Sequence, residues 1–181
     1  VYVGRLAKEK NLEELLECRA ALGRAPVTLL LVGDGPARPA LEERAAALGL
    51  AAPAAVFAGM AAPEEVPLYY RLGDVFVSAS SSETQGLTYL EALAAGTPAV
   101  CRADPRLNGV IENGVNGWQD ETGRERNEKL NRLLTDEPLR KRLARGAAAG
   151  AAAFSEEAFG EKVLALYEAR RAAKARRGGA V

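Results

Sequence analysis

Residues 27–36 read Val-Thr-Leu-Leu-Leu-Val-Gly-Asp-Gly-Pro, and this stretch indicates the fold class. The apolar run over 27–32 is typical of a central strand that is covered on both faces of a parallel sheet. The run ends at Gly33-Asp34-Gly35, and Pro36 suits the first turn of a following helix. The sequence therefore predicts a strand, a tight turn and a helix in immediate succession.

The same alternation of strand and helix extends on both sides of this stretch. Further strands are predicted at residues 1–3, 55–57, 75–78 and 98–101. Asn11 is expected to cap the first helix, the pattern is helical from Gly123 onward, and a terminal helix is predicted over 155–177. This order predicts an α/β fold, in which a Rossmann-like parallel sheet is flanked by helices and followed by a helical C-terminus.

Length and composition indicate one globular domain over residues 1–181. Hydrophobic residues make up 48% and charged residues 27%, the balance of a folded chain. Because 24 basic residues offset 24 acidic ones, we expect no nucleic-acid partner. No apolar run approaches the ~20 residues that span a bilayer. Cys18 and Cys101 lack metal-site spacing and are predicted to be buried, so a cytoplasmic location is expected.

The chain contains no histidine, which excludes histidine metal ligands and histidine general bases. Polar chemistry is left to Asp, Glu, Lys and Arg, and no aspartate pair has the pattern of a divalent-ion site. We therefore expect a metal-independent site. Since the chain opens in a strand, at Val1-Tyr2-Val3-Gly4, it is also expected to be part of a longer protein.

Polar segments follow three of the predicted strands, at the carboxyl edge where open parallel sheets bind ligands. Arg5 and Lys10 lie near the start of the first helix, where cations are unfavourable unless an anion shares the site. Ordinary solvated surface charge is the alternative explanation for both residues. The Gly33-Asp34-Gly35 turn would let backbone amides approach a ligand, although a tight strand–helix turn alone would also need its glycines.

The third segment, residues 80–96, combines a polar loop with a helix. Glu83 lies in the loop, Gly86 exposes amides at the helix start, and Glu91 needs hydrogen bonds from sugar hydroxyls or from an internal arginine. A helical wheel places Glu91 at the border of a buried face formed by Leu87, Leu90, Leu93 and Ala94. Together these groups are typical of a sugar-nucleotide site. The two cations suit a diphosphate, the amides suit its oxygens, and the two carboxylates suit vicinal hydroxyls.

These motifs resemble those of family 4 glycosyltransferases, and the resemblance covers essentially the whole chain. It rests on Gly4-Arg5-Leu6 with Lys10, on Val32-Gly33-Asp34-Gly35-Pro36, and on Glu83-Thr84-Gln85-Gly86-Leu87 followed by Glu91-Ala92-Leu93-Ala94-Ala95-Gly96-Thr97-Pro98. The resemblance implies one half of a GT-B fold, the C-terminal donor-binding half of a retaining hexosyltransferase. Glu-Thr-Gln-Gly is similar to the variant in bacterial diacylglycerol glucosyltransferases.

The resemblance also assigns a role to each matching position. Arg5 and Lys10 would hold the donor diphosphate, and Glu83 would approach the transferred sugar; these three form the catalytic set. Glu91 would bind the ribose hydroxyls, and Met60 would border the nucleobase. The other donor-binding positions are Gly33, Gly35, Gln85, Gly86, Leu87 and Thr88.

The resemblance further implies the substrates and partners. The donor would be UDP-glucose or a similar UDP-hexose. The acceptor would be a hydroxyl group, which in the diacylglycerol glucosyltransferase type belongs to a lipid. The fragment would be inactive without its N-terminal acceptor domain, against which the last helix would pack Phe154, Phe159 and Leu166. The basic tail at 170–177 has two interpretations: attraction to anionic lipid on the inner face of the membrane, or a solvated helix end.

Two other functions stay open at this point. One is a sugar-nucleotide binding module without catalysis, which the intact set Arg5, Lys10, Glu83 and Glu91 disfavours. The other is a sugar-nucleotide epimerase, which needs additional acids and bases and is disfavoured by the lack of histidine.

Overall fold

The computed structural model describes residues 1–23, 26–81 and 86–178, with residues 172–178 as backbone only. The strands are β1 (Tyr2–Val3), β2 (Leu29–Val32), β3 (Ala55–Gly59), β4 (Phe76–Ser78), β5 (Ala99–Arg102) and β6 (Gly117–Asp120). The α-helices are α1 (Leu12–Ala21), α2 (Arg38–Ala47), α3 (Val66–Leu72), α4 (Leu87–Ala94), α5 (Gly123–Thr135), α6 (Glu137–Ala151) and α7 (Glu156–Gly178). Short 3₁₀ segments occur at Lys8–Lys10, Pro105–Leu107 and Ala152–Phe154.

The strands form two parallel three-stranded sheets, ordered β1-β2-β3 and β4-β5-β6. Strands β1 and β4 lie side by side, because the Val77 N–H donates to the Val1 carbonyl at 2.9 Å and the Val1 nitrogen donates to the Val75 carbonyl at 2.7 Å. The spatial order is therefore 3-2-1-4-5-6, which confirms the predicted Rossmann-like sheet. The direction of strand addition reverses between β1 and β4, and ligands bind at this point in such sheets.

Alternate strand residues enter two separate apolar cores, one on each face of the sheet. Leu31, Val77 and Val100 pack with α1, α2 and α5, whereas Val32 and Phe76 pack with α3 and α4. This alternation requires helices on both sides, as the apolar run at 27–32 predicts. Both cysteines are buried, also as predicted.

The structure differs from the sequence predictions at three elements. Strand β6 was not expected, because the Asn-Gly pairs at 113–114 and 116–117 read as turns and Gly117–Asp120 has no apolar run. Asn11 precedes α1 with a left-handed φ of 50°, but its side chain makes no capping hydrogen bond. The buried face of α4 is formed by Tyr89, Ala92 and Leu93. Of the predicted face, Leu93 is buried, whereas Leu87 and Ala94 are exposed and Leu90 is half-buried.

The C-terminal helix α7 leaves much of its apolar surface exposed. Phe159, Leu166 and Tyr167 are each more than half exposed, and Phe154 before the helix is 44% exposed. Among the described residues, no helix has both the length and the apolar character that a bilayer-spanning segment needs.

Candidate functional site

The loops that follow β1 and β4 meet at the point where the strand order reverses. The Asn11 side-chain amide donates to the Ala79 carbonyl at 3.1 Å and to Ser81 Oγ at 3.3 Å. Lys10 Nζ lies 3.5 Å from Ser80 Oγ. Asn11 therefore joins the two loops instead of capping α1, and it holds Lys10 at the carboxyl end of β4.

Arg5 lies on the solvent side of the same loop. Its side chain is 67% exposed and forms an ion pair with Glu9, while its carbonyl accepts a hydrogen bond from the Tyr2 hydroxyl at 3.0 Å. A backbone N–H, followed by the charges of Arg5 and Lys10, lowers the pKa of the Glu9 carboxyl. Arg5 is thus paired with an ionised, exposed side chain that an incoming anion can replace at small cost.

The glycines of the β2–α2 turn let two backbone segments come together. A Cβ at Gly33, where φ is 128°, would lie 2.0 Å from the Gly4 carbonyl oxygen; one at Gly35 would lie 2.4 Å from that of Leu6. The N–H of Gly33 donates to Gly59 and that of Gly35 to Asp34 Oδ1, both at 2.7 Å. These contacts support the tight-turn interpretation, and direct ligand contact by Gly33 and Gly35 stays a prediction.

Helix α4 begins beside the loop that follows β4. Gly86 has a φ of 64° and is buried, and a Cβ there would lie 3.0 Å from Leu107 Cδ2. Leu87, which is 58% exposed, and Thr88 follow in the first turn, where N–H groups have no acceptor within the helix. Among the described residues, no backbone carbonyl accepts from these two amides, so they are candidates to bind an anion. Glu83 and Gln85 lie outside the described residues, so their assigned roles stay predictions.

Glu91 lies on the side of α4 opposite its buried face and is exposed. Its Oε2 accepts a hydrogen bond from the Tyr70 hydroxyl at 2.9 Å. The prediction that Glu91 lies beside Leu87 at the border of a buried face is wrong, because α4 buries Tyr89 and Ala92 and leaves Leu87 exposed. The carboxylate is therefore held by a tyrosine, not by the internal arginine that the sequence left open.

Met60 follows β3, at the same edge of the sheet. Its side chain is 77% exposed, and the preceding Gly59 carbonyl accepts the N–H of Gly33. Met60 therefore lies next to the Gly33-Asp34-Gly35 turn. The carboxyl ends of β1, β2, β3 and β4 thus bring together the loops that carry Arg5 and Lys10, the glycine turn, Met60 and the approach to α4.

A buried charge network behind the site was not predicted. Arg126 and Asp120 are both fully buried and form a bidentate pair, with Nε–Oδ2 3.1 Å and Nη2–Oδ1 2.7 Å. Arg126 Nη1 also donates to Glu14 Oε2 at 2.9 Å.

The network reaches the loop after β4 through Arg102. Arg102 Nη2 donates to Glu14 Oε2 at 2.7 Å, and its Nε donates to the Ala79 carbonyl at 3.2 Å. The first turn of α1, just after Lys10 and Asn11, is thereby fixed to the ends of β4, β5 and β6. No sequence spacing could have indicated these partners, because they come from separate elements.

The fold and the site define an open parallel α/β domain in which the loops that carry Arg5 and Lys10 and the start of α4 meet where the strand order reverses. Residues 1–149 match the family described as Glycosyl transferases group 1, and the chain belongs to this family. The resemblance to glycosyltransferases of the GT-B fold is thereby confirmed.

Curated relatives and a solved structure agree with this membership. Alpha-monoglucosyldiacylglycerol synthase of Streptococcus pneumoniae is 43% identical over 117 residues, covering 64% of this chain and 26% of the relative. The protein of the same name from Acholeplasma laidlawii is 31% identical over 169 residues, covering 92% of this chain and 42% of the relative. The crystal structure of Anabaena HepE in complex with UDP and glucose is similar, with a TM-score of 0.71, 25% identity, and coverage of 83% of this chain and 42% of that chain. The chain thus spans less than half the length of each.

Proposed function

We propose that this chain is the donor-binding domain of a retaining glycosyltransferase that uses a UDP-hexose such as UDP-glucose. The observation that carries the proposal is the Asn11 and Lys10 connection to the Ala79–Ser81 loop, which places a cation at the ligand-binding edge of the sheet. The Anabaena structure, which is in complex with UDP and glucose, supports the choice of nucleotide.

Arg5 and Lys10 would bind the donor diphosphate. As the bond to the sugar breaks, negative charge develops on the leaving diphosphate, and two fixed cations stabilise it more strongly than they stabilise the bound donor. The first-turn amides of α4, at Leu87 and Thr88, would add hydrogen bonds and the favourable end of the helix dipole. This arrangement supplies the electrostatic stabilisation without a metal ion.

The remaining parts of the donor would be bound by residues on either side of the diphosphate. Glu91 would accept hydrogen bonds from the ribose hydroxyls, and Glu83 from the transferred sugar. Met60 would border the nucleobase, next to the Gly33–Gly35 turn. Gln85 and Gly86 would line the sugar and phosphate. The acceptor would attack on the face from which the diphosphate departs, so that the anomeric configuration is retained.

The complete enzyme would require an N-terminal acceptor domain facing this crevice. Both relatives are named for a glucosyldiacylglycerol, which favours a lipid acceptor. The complete enzyme would then act in the cytoplasm, peripheral on the inner face of the membrane. Arg170 and Arg171, at the start of the basic tail, are exposed and would be available to anionic lipid headgroups.

Calorimetric titration of the chain with UDP and UDP-glucose tests the proposal. We expect Arg5→Ala and Glu91→Ala each to weaken binding about tenfold or more, because each removes a charge-assisted hydrogen bond. Arg44→Ala is the matched control, since Arg44 of α2 is an arginine that pairs with Glu17 of α1 and is not among the predicted donor-binding residues. Absence of UDP binding at millimolar concentration, or equal affinities for all variants, would contradict the proposal.

Activity separates a transferase from a binding module that has lost catalysis. A longer protein containing this chain and an acceptor domain is expected to transfer glucose from UDP-glucose to diacylglycerol. Lys10→Ala should lower kcat more than it raises KM, because its cation acts mainly on the leaving group. UDP binding without any transfer would favour the binding module.

A further inference from the structure

Tyr70 in α3 is a fully buried residue whose polar end reaches the candidate site. Its ring packs edge-to-face on Phe76, with centroids 5.7 Å apart, and Phe76 packs in the same way on Tyr89 at 5.3 Å. The Tyr70 carbonyl accepts a hydrogen bond from the Thr97 hydroxyl at 2.7 Å. Ring and backbone are therefore both fixed, and the position of the phenol oxygen is set by the core.

The Tyr70 hydroxyl donates to Glu91 Oε2 at 2.9 Å. Burial, and then the negative charge of Glu91, raise the pKa of Tyr70, so the phenol stays a donor at physiological pH. Within the part of the chain that the structure describes, no cation forms an ion pair with Glu91. One carboxylate oxygen is thus held by a rigid donor, and the other is left to accept from a ligand.

This arrangement reduces the conformational cost of binding. An exposed glutamate samples many rotamers, and ordering such a side chain on binding lowers the affinity for the ligand. A hydrogen bond from a fixed phenol selects the bound rotamer before the ligand arrives. Because Tyr70 is buried and its hydroxyl donates to Glu91, it would act on a ligand only through Glu91, and its effect should depend on the groups that Glu91 binds.

We propose that Tyr70 is the positioning residue for recognition of the donor's ribose, acting by orienting the Glu91 carboxylate toward the vicinal hydroxyls. This inference rests on the proposed function, because it takes Glu91 as the ribose-binding group. It assigns to Tyr70 a role in ligand selection beyond its packing in the core.

A ligand that lacks the hydroxyls distinguishes positioning from packing. The affinities of UDP and of 2′,3′-dideoxyuridine diphosphate are measured by calorimetry for the chain and for Tyr70→Phe. We expect Tyr70→Phe to weaken UDP binding about 5- to 10-fold and to leave dideoxy ligand binding unchanged. Tyr69→Phe, which removes a hydroxyl from the neighbouring, partly buried tyrosine, is the control and should change neither affinity.

The same role can be tested without a variant. In the unaltered chain, the ¹³Cζ resonance of Tyr70 should shift when UDP is added and should not shift with the dideoxy ligand. Conversely, in a Glu91→Ala background, Tyr70→Phe should have no further effect on UDP affinity, because the link to the ligand is already broken.

The outcomes separate this inference from the proposed function. The positioning role would be overturned if Tyr70→Phe weakened the binding of both ligands equally, or if the Tyr70 resonance did not shift on addition of UDP. Neither result would contradict the donor site itself. If the unaltered chain does not bind UDP, the proposed function itself fails. If it binds UDP and the dideoxy ligand equally well, the assignment of Glu91 to the ribose fails, and the role of Tyr70 fails with it.

Discussion

Gly33 illustrates how a single residue sets the geometry of the site. Its φ of 128° belongs to a region that side chains rarely adopt, and its missing Cβ leaves room for the Gly4 carbonyl. The loop carrying Arg5 can therefore pack directly on the β2–α2 turn, where the Leu6 N–H donates to the Asp34 carbonyl at 2.9 Å. Gly33 therefore helps to position the loop that carries Arg5, whether or not Gly33 itself contacts the ligand.

Gly33→Ala should therefore destabilise the chain strongly. The new Cβ would lie 2.0 Å from a backbone oxygen, and neither segment can move without breaking its hydrogen bonds. We expect the free energy of unfolding to fall by about 2 kcal/mol or more in urea titrations. Gly123→Ala is the control, because a Cβ there meets no atom within 4 Å, and it should not be destabilising. Similar stabilities for both variants would contradict the close approach.

Tyr70 also predicts a pH dependence of stability. Its pKa is raised in the folded chain by burial and by Glu91, whereas the unfolded phenol ionises near pH ~10. A raised folded pKa stabilises the protein fully below the unfolded value, and this stabilisation is lost as the pH rises above it. Between about pH 9 and 11, the unfolding free energy of the chain should fall more steeply than that of Tyr70→Phe, by up to ~1.4 kcal/mol per pH unit. Parallel curves would show that Tyr70 titrates normally.

At the level of elements, the sequence predicts those parts of the fold that local patterns encode. Strand β2 has an apolar run and a glycine–proline exit, and it is found within the predicted range. Strand β6 could not be predicted, because Gly117–Asp120 is short and polar and depends on pairing with β5. Part of the inward face of α4 could not be predicted either, because Tyr89 is buried by edge-to-face packing on Phe76, a long-range contact.

The same distinction between local patterns and long-range contacts applies to the candidate site. Arg5, Lys10 and the start of α4 follow strands directly, so parallel topology alone gathers their loops at one edge of the sheet. The partners of Glu91 and Asn11 are long-range: Tyr70 reaches Glu91 from α3, and Asn11, just before α1, donates to the loop after β4. No local spacing encodes such contacts, and the predicted cap and the predicted buried face failed for that reason.

The Arg126–Asp120 pair joins α5 to β6 behind the site and should be important for stability. Arg126→Met would leave the Asp120 carboxylate buried without its bidentate partner, which costs about 3–5 kcal/mol of unfolding free energy. Arg124→Ala, two residues earlier in α5, breaks only an exposed pair with Glu128 and should cost less than about 1 kcal/mol.

Urea titration of both variants measures this difference. The double variant Arg126→Met with Asp120→Leu removes both charges, and we expect it to be more stable than Arg126→Met alone. If Arg126→Met is no less stable than Arg124→Ala, the pair does not hold α5 against the sheet.

At the scale of the whole molecule, α7 stands out because it exposes several large apolar side chains. Phe159, Leu166 and Tyr167 are 68%, 61% and 67% exposed on an element that follows the two packed cores. An apolar helix face of this kind is ordinarily covered by another part of the protein. We propose that it packs against the N-terminal acceptor domain, which would also close the crevice over the donor.

Phe159→Ser tests whether the apolar face of α7 packs on its own domain or on the proposed acceptor domain. In the present chain the side chain is already exposed, so the substitution should change the unfolding free energy by less than about 0.5 kcal/mol. Leu143→Ala, at a fully buried position of α6, is the contrasting variant and should cost about 2–5 kcal/mol. In a longer protein that includes the acceptor domain, Phe159→Ser should instead lower both Tm and transferase activity, because the same ring would then be buried at the domain interface. A large loss of stability in the present chain would mean that α7 packs on its own domain, and the interface would have to lie elsewhere.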